Sequence, residues 1–458
     1  MAFLVMAIIT GGGSRPDIVS LVLLRPISLL VFAYFLWAVL AQRTVGVGIL
    51  FWLLVGWAAL HVAQLVPLPY AVWSQLPERA PIAGLDSALG MPGLARPLTL
   101  SPSGTVNSLF SLFAPAAALL LAVLVRGNLR DRMFNVLKWA ALASILFGLM
   151  QLVGGPGSSF YLYRVTNSES AVGLFSNRNH HALFLACIMV IAAVHLRDRL
   201  AKPKGRQLGL LIVAALLFLA PMMILLIGSR GGLLFAGVAA LFAVAAIASI
   251  SKGSMQIGAR RGRGAATDRS VRWFRQHMPK LVLAAGVVVA LGLTAVSIFL
   301  SRAPAFERFF APEHASNARS DVLPILIEMA KTYLPFGSGF GSFDGAYRKF
   351  EPIELLSPFY LNEAHNDWVQ LMIEGGAPAV AILLAGLAAL GWSWFRGLGR
   401  RPEQRWTLIG YALMLGFFAV SSAVDYPLRT PSLMVFAAFC AGSIIAIARG
   451  GGEVVARR

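Results

Sequence analysis

The sequence predicts an all-α fold, namely a polytopic membrane helical bundle of about 12 transmembrane helices with one large, partly helical loop. Three observations support this prediction: the composition, the length of the apolar segments, and one long acidic connection. Hydrophobic residues make up 58% of the chain and charged residues only 13%, whereas roughly 25% of a soluble protein is charged. A soluble chain of this length cannot cover its surface with so few polar residues. We therefore expect the excess apolar surface to face lipid.

The apolar segments have the length of membrane spans. Most of them approach the ~20 residues that cross a bilayer core as a helix. The first is short and could be a half-buried or truncated span. It lacks the basic leading region and cleavage site of a signal peptide, so we do not interpret it as one. The segments lie near residues 1–12, 17–41, 47–69, 106–125, 133–153, 180–196, 208–228, 231–250, 281–301, 376–395, 406–424 and 432–448.

The positive charge follows the connections between these segments. Of the 39 Lys and Arg residues, 24 lie at Arg43 and in the connections 126–132, 197–206, 251–280, 396–405 and 449–458. The positive-inside rule then places this set and both termini in the cytoplasm. The net charge of +19 is thereby explained by topology, and we predict no nucleic-acid partner. The basic loop 259–275 could also contact anionic lipid headgroups.

The long connection 302–374 stands apart on the opposite side of the membrane. It holds ten of the 20 Asp and Glu residues, and it has enough aromatic and aliphatic residues to pack. Unstructured loops of this length are uncommon, and long loops are usually functional. We therefore divide the chain into N-terminal transmembrane helices at 1–170, core transmembrane helices at 171–301, a loop domain at 302–374, and C-terminal transmembrane helices with a cytoplasmic tail at 375–458.

Two helices are predicted within this loop. Ser320 is a candidate N-cap for a helix over Asp321–Leu334. A second helix is predicted to begin near Asn362 and to carry His365 on one of its faces. Between the two helices, Gly337, Gly339 and Gly341 form a glycine turn, which is either a plain turn or one whose backbone N–H groups approach an anion.

Two arginines lie where a membrane discourages charge. Arg230, in the stretch GSRGG, is at the outer tip of a hairpin between two apolar spans. Arg178 lies beside Asn179 at the entrance of another span, in GLFSNRNHHALFLA. Helix N-termini and arginine forks both favour phosphate, so these residues could form an anion site. The structural alternatives are an arginine that reaches lipid phosphate and a polar helix cap.

Histidines supply the candidate general base. His365 is followed by Asn366 and Asp367, and a neighbouring carboxylate could orient its ring for proton transfer. A surface histidine is the structural alternative. For His180 and His181 we expect capping or packing. The three histidines lack the spacing of metal ligands, so we predict no metal site.

Further cations lie on the same side of the membrane. Taken singly, each of them is more often a solvated charge. Together with Arg178 and Arg230 they suggest an outward-facing cavity for a strongly anionic group, and a pyrophosphate attached to a lipid would fit because its tail can lie between spans. These additional residues are Arg319, Arg348, Lys349 and Arg429.

Four features follow one another along the chain: GLFSNRNHHA, an apolar span ending in SRGG, the long outer loop, and AHNDWVQLMIEGG at its close. In this order they resemble the O-antigen ligase and O-antigen polymerase family of bacterial membrane glycosyltransferases. The resemblance covers roughly residues 170–430, whereas the first 150 residues match only in being spans.

The resemblance implies an enzyme of the bacterial inner membrane with its active site facing the periplasm. Its donor would be an undecaprenyl-pyrophosphate-linked glycan, and its acceptor would be a lipid-linked repeat unit or the lipid A–core. His365 would activate the acceptor hydroxyl, while Arg230, Arg178 and Arg319 would bind the pyrophosphate. The scheme implies no metal and no nucleotide cofactor. Supporting roles are expected for Asn179, Asn366, Asp367 and Arg348.

A transporter or flippase of a lipid-linked glycan is the main alternative, since it would also need arginines in a cavity. Transporters more often place polar residues near the bilayer midplane and show two related halves. Here the polar clusters lie at one face and no halves repeat. The motifs do not separate ligase from polymerase.

Overall fold

The computed structural model describes residues 1–41, 48–124, 127–201, 207–260, 314–356 and 361–450. Two short strands, β1 (Pro67–Leu68) and β2 (Arg96–Pro97), pair antiparallel. The helices over these ranges are α1 (Ala2–Thr10), α2 (Leu21–Ala41), α3 (Gly48–Leu65), α4 (Tyr70–Trp73), α5 (Ala80–Ala88), α6 (Pro102–Ser111), α7 (Phe113–Leu124), α8 (Gly127–Gly154), α9 (Arg178–Ala201), α10 (Gln207–Ile227), α11 (Arg230–Arg260), α12 (His314–Tyr333), α13 (Phe343–Tyr347), α14 (Asp367–Arg400), α15 (Arg405–Ser421) and α16 (Pro431–Ala448).

The predicted all-α, polytopic architecture is confirmed. Within the described ranges, 7 helical segments are long and apolar enough to cross a membrane. Two shorter apolar helical segments accompany them, Trp52–Leu65 and Ile212–Ile227. The predicted span at 281–301 lies outside the described residues, so the total of about 12 spans stays a prediction. The seven segments are Leu21–Ala41, Pro102–Leu124, Arg132–Gly154, Arg178–Leu200, Arg230–Ile250, Asp367–Arg400 and Pro431–Ala448.

By packing, the chain divides into two compact units, each built from segments distant in sequence. Unit 1 comprises Met1–Gly13, Arg126–Ala311 and Arg401–Phe418, and unit 2 comprises Ser14–Val125, Pro312–Arg400 and Ala419–Arg458. In unit 1, α9 packs against α8, α10 and α11. In unit 2, α16 packs against α7 and α14. The four-part division predicted from sequence stays a prediction.

The long acidic connection has a core of its own within unit 2. One face of α12 packs against α13 and the start of α14, and the buried side chains are aliphatic or aromatic. This core explains why the connection is rich in apolar residues although it is also acidic. Its fully or almost fully buried members include Leu326, Met329, Tyr333, Phe343, Tyr347 and Ile373.

The boundaries of both loop helices differ from the prediction. The first helix begins at His314, so Ser320 lies inside α12 and is not its N-cap. Residues 314–319 contain no proline or glycine, and nothing in their backbone chemistry ends the helix there. The second helix begins at Asp367 and continues into the predicted span at 376–395, so that α14 is a single element.

A backbone kink divides α14. Gly376 adopts φ 62° and ψ −161°, a conformation that favours glycine, and Pro378 follows it. A Cβ on Gly376 would lie 2.2 Å from the carbonyl oxygen of Pro335. The N–H of Ala377 donates to that same oxygen at 2.8 Å. The kink therefore lets the chain segment after α12 pack directly against the backbone of α14.

The α10–α11 hairpin gives four residues of GSRGG a defined place, namely Gly228, Ser229, Arg230 and Gly232. Gly228 ends α10 with φ +68°, a left-handed conformation that suits glycine. The Ser229 hydroxyl accepts from the N–H of Gly232 at 3.2 Å and so caps α11. Arg230 is the first residue of α11. Gly232 lies where α11 meets α9, and a Cβ there would be 2.5 Å from that of Ala182.

We predict that Gly232→Ala destabilises the protein while Gly231→Ala does not. The new methyl group at position 232 would overlap Ala182 and force α9 and α11 apart, which costs about 1–3 kcal/mol. At Gly231 the nearest atom to an added Cβ is the Phe235 ring at 4.0 Å. Thermal unfolding of the two purified variants in detergent measures the difference. Equal unfolding temperatures would contradict the close helix contact.

Candidate active site

Two helices of unit 1 begin with an arginine and a side-chain cap. α9 begins at Arg178, and the Asn177 side-chain oxygen accepts from the N–H of Asn179 at 2.8 Å. α11 begins at Arg230 and is capped by Ser229. The N–H groups of the first helical turn lack partners within the helix. Each cap therefore satisfies part of its helix end with a residue from the predicted motif.

A hydrogen bond joins these two helix ends. The Ser229 hydroxyl donates to the Asn179 side-chain oxygen at 2.9 Å. The partial positive charges of two helix N-termini therefore lie close to each other. Arg230 is exposed and Arg178 is half-buried. The hydrogen bond brings together the helix starts to which Arg178, Asn179 and Arg230 belong, and two adjoining helix N-termini suit an anion.

The adjacent histidines are part of the packed interior. His180 and His181 are both fully buried. The Nδ1 of His181 donates to the carbonyl oxygen of Ala171 at 2.8 Å, and the ring stacks on Phe175 with centroids 6.0 Å apart. The packing role expected for these histidines is confirmed for His181 by these contacts.

The other two predicted arginines have different surroundings. Arg319 lies inside α12 and not before it, and its side chain is outside the described part of the structure. Arg348 forms an exposed two-pronged ion pair with Asp344, with Nε–Oδ1 at 3.1 Å and Nη2–Oδ2 at 3.0 Å. The amine of Lys349 donates to the carbonyl of Glu78 at 3.0 Å. The roles assigned to Arg319 and Arg348 stay predictions.

His365 belongs to unit 2 and precedes α14, so the prediction that it lies on a helix face is wrong. Its φ is +51°, which is uncommon for a residue with a side chain. Asn366 is the cap of α14, because its side-chain oxygen accepts from the N–H groups of Trp368 and Val369 at 3.1 Å each. The cap starts the helix after His365 and leaves the histidine in the preceding turn.

Two contacts orient the His365 ring. Its Nδ1 lies 3.0 Å from the carbonyl oxygen of Glu363, and its ring meets Tyr426 edge-on with centroids 4.7 Å apart. A carbonyl oxygen can only accept, so Nδ1 carries the proton in this contact. Nε2 is then the basic nitrogen of the neutral ring. A neutral ring in this tautomer has the basic nitrogen that a general base needs.

Arg429 is surrounded by carboxylates of its own chain. Its Nη2 lies 3.0 Å from Glu374, its Nε 3.5 Å from Asp367 and its Nη1 3.7 Å from Glu363. Sequence analysis grouped Arg429 with the cations that would attract a bound pyrophosphate. That grouping is wrong, because three carboxylates already offset this guanidinium. Asp367 also accepts from the Ser422 hydroxyl at 2.9 Å.

Glu374 joins this cluster to the glycine turn. The carboxylate is fully buried and accepts from the N–H groups of Gly341 at 3.1 Å and Phe343 at 3.3 Å. The side chain of Gln64 donates to the Glu374 carbonyl at 3.0 Å and accepts from the N–H of Phe340 at 2.9 Å. The glycine turn therefore does meet an anion through its backbone, and that anion is Glu374.

Sequence analysis missed Glu363, Gln370 and Glu374 as site residues. Gln370 contacts both carboxylates, with its Nε2 2.5 Å from Glu363 and 3.3 Å from Glu374. The sequence pattern could have indicated them, because Gln370 and Glu374 are four residues apart and therefore share a helix face, and apolar Ile373 lies next to that face. Polar residues on the packed face of a helix need partners. In the described part of the chain, no group of His, Cys, Asp and Glu is arranged to hold a metal ion.

Burial raises the pKa of the Glu363 carboxyl to about 7. Arg429 opposes this shift, whereas Glu374 and Asp367 add to it because a third negative charge nearby is unfavourable. The Glu363 side chain is only 12% exposed, so solvent screens these interactions weakly. The Glu363 carboxyl, which lies two residues before His365, therefore titrates near neutral pH.

We predict that Glu363→Gln stabilises the protein more at about pH 8 than at about pH 5. The pKa of about 7 in the folded protein exceeds the ordinary value of 4.5, so folding takes up a proton between these pH values and stability falls as pH rises through them. A neutral amide avoids that loss, which is at most about 3 kcal/mol. Thermal unfolding at both pH values tests this, with exposed Glu354→Gln as the control. A pH-independent difference would refute it.

A comparison with known protein families matches the part of the chain that contains Arg230 and His365. Residues 214–384 match the family model described as O-antigen ligase. The match includes Arg230, His365 and Glu374, whereas Arg178 and Arg429 lie on either side of it. No curated protein matches the chain. The chain is a multi-pass membrane protein, and the match over residues 214–384 supports an O-antigen ligase or polymerase family of glycan-transferring enzymes.

Proposed function

We propose that this enzyme transfers a glycan from an undecaprenyl-pyrophosphate carrier to a sugar hydroxyl at the periplasmic face of the inner membrane. The observation that supports this best is the junction of two helix N-termini at Arg178 and Arg230, joined through Asn179 and Ser229. A pyrophosphate carries the negative charge and the oxygen acceptors that such a junction would bind.

The arginines act on the donor in this proposal. Arg178 and Arg230, with Arg319 as a third candidate, bind the pyrophosphate and offset the charge that grows on it as the glycosidic bond breaks. Planar guanidinium groups can give two parallel hydrogen bonds to one phosphate. The helix caps fix the backbone at the start of each helix, so both arginines extend from ordered helix ends. The reaction then needs no metal ion and no cofactor.

His365 acts on the acceptor. Its Nε2 removes the proton from the acceptor hydroxyl as that oxygen attacks the anomeric carbon of the donor sugar. The bond between that carbon and the pyrophosphate breaks, and undecaprenyl pyrophosphate leaves with the bonding electron pair. A single displacement of this kind inverts the anomeric configuration. Asn366 and Asp367 support the histidine by ending its turn and holding the start of α14.

The acceptor is either a lipid-linked repeat unit or the lipid A–core, which makes the enzyme a polymerase of O-antigen or exopolysaccharide or an O-antigen ligase. The excess of Lys and Arg in one set of connections supports cytoplasmic termini and an outward-facing active site. A deletion strain separates the two reactions. Single repeats on the lipid A–core indicate a lost polymerase, whereas full-length chains left on the carrier indicate a lost ligase.

We predict that Arg230→Lys lowers the rate of transfer at least about tenfold. Lysine keeps the positive charge but cannot form the two-pronged contact with a phosphate. Arg197→Lys is the control, because Arg197 lies near the far end of α9 and pairs with Asp198 at 2.7 Å. Transfer is measured with extracted lipid-linked glycan in the presence of EDTA. Near-normal activity of Arg230→Lys, or dependence on a divalent ion, would contradict the scheme.

We predict that His365→Ala loses transfer by a factor on the order of 10²–10⁴ while lipid-linked donor still reaches the periplasmic face. The variant lacks only the base, so the donor should accumulate there in the deletion strain carrying it. Accessibility of the accumulated glycan to an external lectin in spheroplasts reports its side of the membrane. Donor trapped at the cytoplasmic side would instead favour a flippase.

A further inference from the structure

The backbone of His365 is in a conformation that needs external support. A left-handed φ of +51° is unfavourable for a residue with a Cβ, and such conformations persist where the surroundings impose them. The ring is also held in one direction by the Glu363 carbonyl and the edge of Tyr426. Some group must therefore fix the short segment on both sides of the histidine.

Arg429 contacts the segment on both sides. Two residues before His365, the carboxylate of Glu363 faces Nη1, and two residues after it, the carboxylate of Asp367 faces Nε. The third nitrogen, Nη2, contacts Glu374, which is buried in α14 and tied to the glycine turn. Each nitrogen of the guanidinium thus serves a different carboxylate, and the most buried of the three anchors the other two.

Neighbouring contacts add to the same arrangement. Gln370 accepts from the N–H of Ala364 at 2.8 Å and donates to Glu363 at 2.5 Å, so it holds the residue next to His365. The turn Pro427–Arg429 directly follows Tyr426, whose ring contacts the His365 ring. The N–H of Leu428 donates to Asp367 at 3.3 Å. One short turn therefore carries both the guanidinium and the ring that bear on His365.

We propose that Arg429 is a positioning residue that fixes the turn of His365 by binding Glu363, Asp367 and Glu374 at once. This inference rests on the proposed function, in which His365 is the base. Arg429 acts through the histidine and not on the substrate, because its own charge is already matched by carboxylates. Lysine in its place would keep one positive charge but, as a compact ammonium, would not bridge three separated carboxylates.

Arg429→Lys tests the proposal in the full-length protein reconstituted in lipid vesicles. The substrates, extracted from the deletion strain, are undecaprenyl-pyrophosphate-linked glycan as the donor and, as the acceptor, whichever of the lipid-linked repeat unit and the lipid A–core the wild-type enzyme uses. We expect kcat to fall about tenfold to a hundredfold while KM for the donor stays within about twofold, because a displaced base slows the chemical step and leaves donor binding intact. Arg96→Lys is the matched control, since Arg96 forks onto Asp86 at 2.5 and 2.7 Å elsewhere in unit 2.

A second readout reports on the histidine without catalysis. Modification of His365 by diethyl pyrocarbonate, followed by mass spectrometry, should be several-fold faster in Arg429→Lys than in the wild type and unchanged in Arg96→Lys. If Arg429→Lys does not fold, Glu363→Gln removes one of the three contacts without leaving a buried charge unpaired. That variant should combine a lower kcat with faster modification of His365.

Three outcomes would overturn the positioning role: an unchanged kcat, an unchanged rate of His365 modification, or equal losses in the Arg96→Lys control. The proposed function fails separately, if His365→Ala retains transfer. In that case the modification rate still decides whether Arg429 positions His365. Full loss in His365→Ala with normal kcat in Arg429→Lys would refute only the positioning role.

Discussion

The buried carboxylate of Glu374 organises the candidate acceptor side of this enzyme. A charge taken out of water must be compensated by partners, and incomplete compensation is costly. Glu374 meets this demand with two backbone N–H groups of the glycine turn, one amide of Gln370 and the guanidinium of Arg429. Three stretches of unit 2, namely the glycine turn, α14 and the turn Pro427–Arg429, thereby meet at a single side chain. The position of His365 depends on this centre through Arg429 and Gln370.

Helix caps do much of the positioning in both units. Asn177, Ser229 and Asn366 each satisfy backbone N–H groups at the start of a long apolar helix. Such groups are expensive to leave unpaired near lipid, where water cannot replace a missing partner. The polar residues of the motifs therefore stabilise helix ends in addition to any role in the chemistry. Arg178 and Arg230 directly follow their cap residues, and His365 directly precedes its cap residue. The caps therefore fix the position of each of these residues relative to the start of its helix.

The arginines on this side of the chain differ in whether neighbouring carboxylates offset their charge. Arg230 lies at an exposed helix end, whereas Arg429 is held among three carboxylates. In the sequence both are outward-facing cations between spans, and nothing in the local pattern separates them. Their environments assign them to different tasks, since a guanidinium already offset by carboxylates attracts an added anion far less. This explains why grouping all outer arginines into one anion site was too inclusive.

The sequence by itself determined the membrane class and most of the long apolar helices in the described residues, and its motifs predicted Arg178, Asn179, Arg230 and His365 as site residues. These follow from composition and from patterns that are local along the chain. Only the tertiary structure decided that Ser229 bonds Asn179, that Glu374 fills the glycine turn, and that Arg429 reaches both sides of His365. Those partners are separated by about 30 to 65 positions in the chain, and local patterns carry no information on such pairings. The long acidic connection, first distinguished by its charge, is ordered by its own apolar core and by the contacts of Arg429 with its carboxylates.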